Sequence, residues 1–111
     1  MRDFELTVLF RPDLDDLEAA LDRLRYLIVE HGGKIIKEEN DGKKRLSYRI
    51  MEYDYAFYYF FVLELPADEP SKICHILNVT DEVLRYLLVT VDTRSERNNI
   101  IVTKNLQTQT S

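Results

Sequence analysis

Hydrophobic and polar residues alternate through Asp3-Phe4-Glu5-Leu6-Thr7-Val8-Leu9-Phe10, a period of two that predicts a strand over about residues 3–10 with Phe4, Leu6, Val8 and Phe10 on its buried face. Arg11-Pro12-Asp13 breaks the pattern. Beyond it the apolar positions fall at Leu14, Leu17, Leu21, Leu24 and Ile28, steps of three and four that make one helical stripe. Asp13, Asp15, Asp16 and Glu18 put negative charge at the positive end of that helix, with one of the early aspartates as its cap. Gly32-Gly33 supplies the left-handed residue that ends it. Residues 34–51 read in two ways. Either Asn40-Asp41-Gly42 is a hairpin turn between a short strand at Ile35-Ile36 and a second at Leu46, Tyr48 and Ile50, or Gly42 is a bulge in one long strand that turns at Glu52 to Tyr55. Ala56 to Leu65 is aromatic or β-branched almost throughout and apolar on both faces, which predicts a central strand, and Pro66 stops it. Asp68 as cap and Pro70 in the first turn open a short second helix with Ile73, Ile76 and Leu77 as its stripe. A last strand follows at Val83 to Val91.

The order strand, helix, strand, strand, helix, strand is a split βαβ pattern, which predicts an α+β, ferredoxin-like fold: a four-stranded antiparallel sheet with both helices on one face. Residues 1–94 form that domain. The stretch 95–111 is polar and rich in Asn, Gln, Thr and Ser, with one apolar patch at Ile100-Ile101-Val102, and is expected to be a tail that is flexible or ordered by a partner. A chain of 111 residues, 45% of them hydrophobic, builds its core without metal or disulfide staples. The single Cys74 forms no internal disulfide, and no apolar run approaches the ~20 residues of a membrane span, so a reducing cytoplasm and no membrane are expected.

Net charge is −5, which argues against a protein that holds nucleic acid by charge alone. Its distribution changes the picture. From Lys34 to Arg49 six basic residues (Lys34, Lys37, Lys43, Lys44, Arg45, Arg49) face three acidic ones (Glu38, Glu39, Asp41), a local charge of +3 that leaves −8 on the rest. Such an island suits local phosphate contact while the acidic remainder limits non-specific binding.

Candidate chemistry is sparse. Cys74 and His75 are adjacent on a helix, about 100° apart, and do not share a target. His31 and His75 belong to no metal-ligand spacing, the carboxylates lie on a solvated helix face or in loops, and no glycine-rich phosphate loop is present, so no catalytic residue, cofactor or metal is expected. Rings on the third strand, either Tyr58 and Phe60 or Phe57, Tyr59 and Phe61, resemble base-stacking platforms, but Asp54-Tyr55-Ala56-Phe57 lacks the basic residue and glycine of an RNA-recognition motif. What remains is an open sheet face too apolar for water, with Tyr86, Leu88 and half of the third strand uncovered by a helix. Such a face marks a protein partner or a homo-oligomer.

Arg2-Asp3-Phe4-Glu5, Arg11-Pro12-Asp13, Gly33-Lys34-Ile35, Gly42-Lys43-Lys44-Arg45-Leu46-Ser47-Tyr48-Arg49-Ile50 and Asp81-Glu82-Val83-Leu84-Arg85, in that order, resemble the bacterial small-subunit ribosomal protein S6 family over about residues 1–93. The basic stretch after Gly42 is the most specific of these, and the chain departs from the family pattern at Asp41, Arg49 and Thr80. The resemblance implies a non-catalytic, ribosome-associated cytoplasmic protein that pairs with ribosomal protein S18 and binds the central domain of small-subunit rRNA as that heterodimer. It also implies the long second strand, with Gly42 as a bulge. On this reading Arg2, Lys43, Lys44, Arg45, Arg49 and Arg85 are the candidate rRNA contacts, and Tyr48, Tyr58, Phe60, Tyr86 and Leu88 the candidate partner contacts. The rival expectation is a homo-oligomeric ferredoxin-like domain that binds a small ligand, with the aromatic strand as pocket wall.

Overall fold

In the computed structural model the described residues are 1–91 and the backbone of a short strand at Ile101–Thr103. Strand β1 is Arg2–Phe10, helix α1 Leu17–Glu30, β2 Lys34–Ile50, β3 Tyr53–Leu65, α2 Pro70–Asn78, β4 Val83–Thr90 and β5 Ile101–Thr103. All strand pairings are antiparallel, in the order β2-β3-β1-β4-β5. The first four strands and two helices make the expected ferredoxin-like arrangement. The fifth strand is an addition: part of the apolar run in the tail lies along the outer edge of β4. The expected boundary at residue 94 and most of the tail lie outside the described residues.

Phe4, Leu6, Val8 and Phe10 of β1 face the helices together with Tyr59, Phe61, Leu63 and Leu65 of β3, and all are buried. They meet Ala20, Leu21, Leu24 and Ile28 of α1 and Ile73, Cys74 and Leu77 of α2. The side chain of Asp16 caps α1 by accepting from the Ala19 amide at 3.0 Å, three residues later than the first aspartate of the run. Leu14 precedes the helix and packs against the core from the loop. Gly32 takes φ +80° at the end of α1, and the Gly33 amide donates to the Ile28 carbonyl at 2.9 Å. At α2 the cap position is held by Glu69 rather than Asp68. Its carboxylate makes no cap bond and is engaged instead by His31 at the end of α1, at 2.8 Å.

Residues 34–50 form one long strand. Gly42 at φ +83° is the bulge, with Asp41 the extra residue between Asn40, opposite Tyr59, and Gly42, opposite Tyr58. The Asn40 Oδ1 accepts from the Gly42 amide at 2.8 Å and holds the bend. The turn comes at Met51-Glu52, just ahead of the expected stretch, so that Ile50 pairs with Tyr53. A second cluster of Leu46, Ile50, Ala56 and Leu84, flanked by Leu9, Tyr53 and Tyr58, ties the base of the β2–β3 hairpin to the face of the sheet away from the helices.

Candidate functional site

The strand registers define what stands on the open face. Leu9 lies between Tyr58 and Arg85, Thr7 between Phe60 and Leu87, Glu5 between Val62 and Val89, and Asp3 beside Glu64. The chemistry of the face therefore changes along the strands. On the inner strands one end carries Asp3, Glu5 and Glu64, the middle Phe60, Thr7 and Leu87, and the other end Arg85; the border strand β2 adds Lys34 opposite Glu64, Lys37 opposite Val62, Glu39 opposite Phe60 and Lys44 opposite Ala56.

At the cationic end each cation sits on a ring. The Lys44 ammonium lies 5.3 Å from the centre of Tyr58, and the Arg85 guanidinium 5.4 Å from the centre of Tyr48. Arg85 also donates through Nη1 to the Tyr48 hydroxyl at 3.1 Å, while its Nε is buried without a partner among the described residues. Tyr48 is 63% exposed, so this pair presents a charged plane and a ring edge to solvent on a half-buried stem. Exposed Met51 at the hairpin turn and half-exposed Leu87 on β4 extend the surface in apolar character.

The other candidate cations are dispersed. Lys43 and Arg45 alternate with Lys44 and so fall on the opposite face, where Lys43 lies 5.4 Å from the centre of Tyr55. Arg49 is tied to its own hairpin, its Nε 3.2 Å from Asp54 and its Nη2 donating to the Glu52 carbonyl at 3.3 Å. Arg2, opposite Leu65, is at the far end of the sheet from Arg85 and on the helix side. The six cations form no single patch.

Of the candidate partner contacts, Tyr58 and Phe60 are on the open face, half-buried, and Tyr48 borders it. Tyr86 and Leu88 are not. They are 2% and 1% exposed, on the helix side, and the Tyr86 hydroxyl donates beneath α2 to the Cys74 carbonyl and to the Asn78 side chain, both at 3.3 Å. Burial raises the Tyr86 phenol, and likewise the Cys74 thiol, above their ordinary pKa values. A register break between Leu9 and Phe10 sets the phase of β4, and the residues the strand brings to the open face are Leu84, Arg85, Leu87 and Val89.

A charged network that no local pattern signals braces this end of the sheet. Arg11 bonds Asp13 through Nε at 3.1 Å and Nη2 at 3.2 Å, and Asp81 through Nη1 at 2.7 Å. The Tyr53 hydroxyl donates to Asp13 at 2.9 Å. The Asp13 carboxyl is held below the usual carboxylate range first by Arg11 and then by Tyr53. The end of β1, the start of β3 and the loop before β4 are thereby joined where the cationic end of the face lies.

The geometry contains positioned charge and exposed rings, and among the described residues no group of three His, Cys, Asp or Glu stands together as a metal site. The family model for ribosomal protein S6 matches residues 3–90. The chain is 35% identical over 91 residues to the small ribosomal subunit protein bS6 of Symbiobacterium thermophilum, covering 80% of this chain and 96% of that protein. It is 29% identical over 94 residues to the bS6 of Heliobacterium modesticaldum, covering 83% and 98%. The crystal structure of the S6 protein of Thermotoga maritima superposes with a TM-score of 0.76 at 22% identity, over 80% of this chain and 86% of that one, and shares the fold.

Proposed function

Because this chain belongs to the ribosomal protein S6 family, and so is a non-enzymatic structural constituent of the small ribosomal subunit, we propose that it binds central-domain rRNA as a heterodimer with ribosomal protein S18. The observation that carries this reading is the change of sign along the inner strands of the open face, from Asp3, Glu5 and Glu64 at one end, offset at the sheet border by Lys34 and Lys37 of β2, to Arg85 at the other with Lys44 beside it. The acidic end suits a basic partner, the apolar middle with Phe60 and Leu87 supplies its contact area, and the cation-bearing rings of Tyr58 and Tyr48 suit phosphate and exposed bases. With a net charge of −5 the chain needs the partner's positive charge to approach RNA. Phosphate contacts of this kind position the protein without reading sequence.

Lys44 and Arg85 share the open face, so they act together in this reading. Lys43 and Arg45, on the opposite face, reach RNA only where it wraps the hairpin. Arg49 and Arg2 contribute least, the first held by Asp54 and the second remote.

The test is binding of the purified chain to a central-domain rRNA fragment, alone and with S18, at two salt concentrations. Binding is expected only with S18. The double variant Lys44→Ala, Arg85→Ala is expected to flatten the dependence of log K on log salt by about two units, about one per lost phosphate contact. Replacing Lys43, Lys44 and Arg45 together by Ala tests the hairpin as a whole. Equal binding with and without S18, or an unchanged salt slope in both variants, refutes the assignment.

A further inference from the structure

Four of the tyrosines carry one of the chain's own cations at 5.3–5.7 Å from the ring centre: Arg11 on Tyr53, Lys43 on Tyr55, Lys44 on Tyr58 and Arg85 on Tyr48. Tyr59 and Tyr86 are buried. The remaining ring, Tyr26, is 67% exposed and has no cation on it among the described residues. It stands on α1 between Asp22 and Glu30, at spacings of four that put all three on one stripe of the helix. Neither arginine of α1 serves it, since Arg23 is bonded to Glu82, and Arg25 to Glu38 and Asp22. Glu30 is exposed and makes no ion pair among the described residues. This stripe is one wall of a cleft of about 550 Å3 between α1 and α2, on the helix side of the molecule. Leu24, Leu77 and Val83 form its apolar floor, and Leu27 and Ile76 its half-buried flanks. The charge around the cleft is one-sided. Residues 13–31 hold six acidic residues against two basic, and residues 67–82 four against one, net −4 and −3. These two segments therefore carry −7 in a chain whose total is −5, and the remainder is positive.

We propose that this cleft docks a cationic amphipathic helix of a partner protein, with a lysine or arginine on the Tyr26 ring between Asp22 and Glu30, and aliphatic side chains against Leu27 and Ile76. Asp22 to Glu30 covers about 12 Å of α1, so two to three turns of an occupant span the wall. The ring and the two carboxylates attract the same charge, the apolar floor supplies contact area, and the acidic helix layer steers the approach. The cleft and the candidate rRNA face lie on opposite sides of the sheet. Both can be occupied at once, and the inference does not rest on the ribosomal reading.

The full chain is titrated into a dye-labelled Leu/Lys peptide of about 14 residues with helical spacing, and binding is followed by fluorescence anisotropy. Two companion peptides carry Glu in place of Lys, or Ser in place of Leu. Only the Leu/Lys peptide is expected to bind. Glu30→Lys is expected to weaken it at least ten-fold, and Tyr26→Leu, which keeps an apolar side chain without a ring, at least three-fold. Glu52→Lys, the same charge change at the β2–β3 turn, is expected to stay within two-fold of the parent. All three positions are exposed, so the urea midpoints of the variants are expected to match the parent's. No binding of the Leu/Lys peptide, equal binding of the peptide with Ser in place of Leu, or equal losses in Glu30→Lys and Glu52→Lys overturns the proposal. A dimer mass without peptide that reverts to monomer in Tyr26→Leu overturns it too, by making a second copy the occupant.

Discussion

Gly33→Ala is a perturbation whose cost follows from three distances. A Cβ at this position would stand 2.6 Å from Leu65 Cδ2, 2.9 Å from Ile28 Cγ2 and 2.9 Å from the Ile28 carbonyl oxygen. Leu65 and Ile28 are both fully buried, so neither side chain has room to withdraw. The carbonyl is backbone, and it accepts the Gly33 amide at 2.9 Å, so shifting it breaks the bond that closes α1. Overpacking of this kind costs about 1–3 kcal/mol and the hydrogen bond about 1 more, together about 2–4 kcal/mol. For a domain of this size that lowers Tm by about 8 °C or more. The control is Gly42→Ala, where nothing lies within 4 Å of the new Cβ and only φ +83° is strained, a cost of about 1–2 kcal/mol. Urea unfolding followed by far-UV circular dichroism and tyrosine fluorescence reads both, since the chain has no Trp. A Gly33→Ala chain as stable as the Gly42→Ala chain refutes the packing argument.

Acid should destabilise the fold through carboxylates held in their charged form. Asp13 and Glu69 have folded-state values below their ordinary 3.8 and 4.5, through Arg11 and His31 respectively. Their contribution is complete above those ordinary values and is lost as pH falls through the depressed ones. Urea midpoints between pH 7 and 3 should therefore drop at the acid end, and by less in Glu69→Gln; an identical drop in that variant removes Glu69 from the account. Leu46→Ala empties part of the small cluster under the β2–β3 hairpin, Leu46 being 7% exposed, and should cost about 2–5 kcal/mol. Denaturant titration checks the figure, and a cost below about 1 kcal/mol means the hairpin is not anchored there.

What the sequence discloses here is set by how local the cause is. Strand β1 and helix α1 are legible because a single buried face imposes an uninterrupted period on each, and the aspartate run and Gly32-Gly33 mark the ends of α1. Strand β3 is legible as a strand but not in its facing, because aromatic and aliphatic residues cover both sides; only pairing with β1 puts Tyr59 and Phe61 under the helices and Tyr58 and Phe60 outside. The facing of β4 is hidden for a further reason. Arg85 alone marks the solvent side of an otherwise apolar run, and the break in register at Leu9 and Phe10, a property of two strands together, puts Val83 and Leu84 out of step with it, so Tyr86 and Leu88 read as exposed when they are core. The bridge from Arg11 to Asp81 spans 70 positions, and no local spacing points to it. Within the candidate site, the cations were readable by type and density, whereas their division between two faces came from alternation along a strand whose bulges had to be located first.

The three breaks in the register of β2 bear on how the protein behaves at high concentration. As the outermost strand it presents 17 residues at the sheet border, long enough to template another chain. Yet its pairing slips between Ile35 and Lys37, between Asn40 and Gly42, and between Arg45 and Ile50, so no run longer than four residues keeps one phase. Fibril spines are built from uninterrupted segments of about six or seven residues. An incoming strand would have to copy each kink in turn or straighten the host strand against β3, and a border that looks like a template is geometrically a poor one.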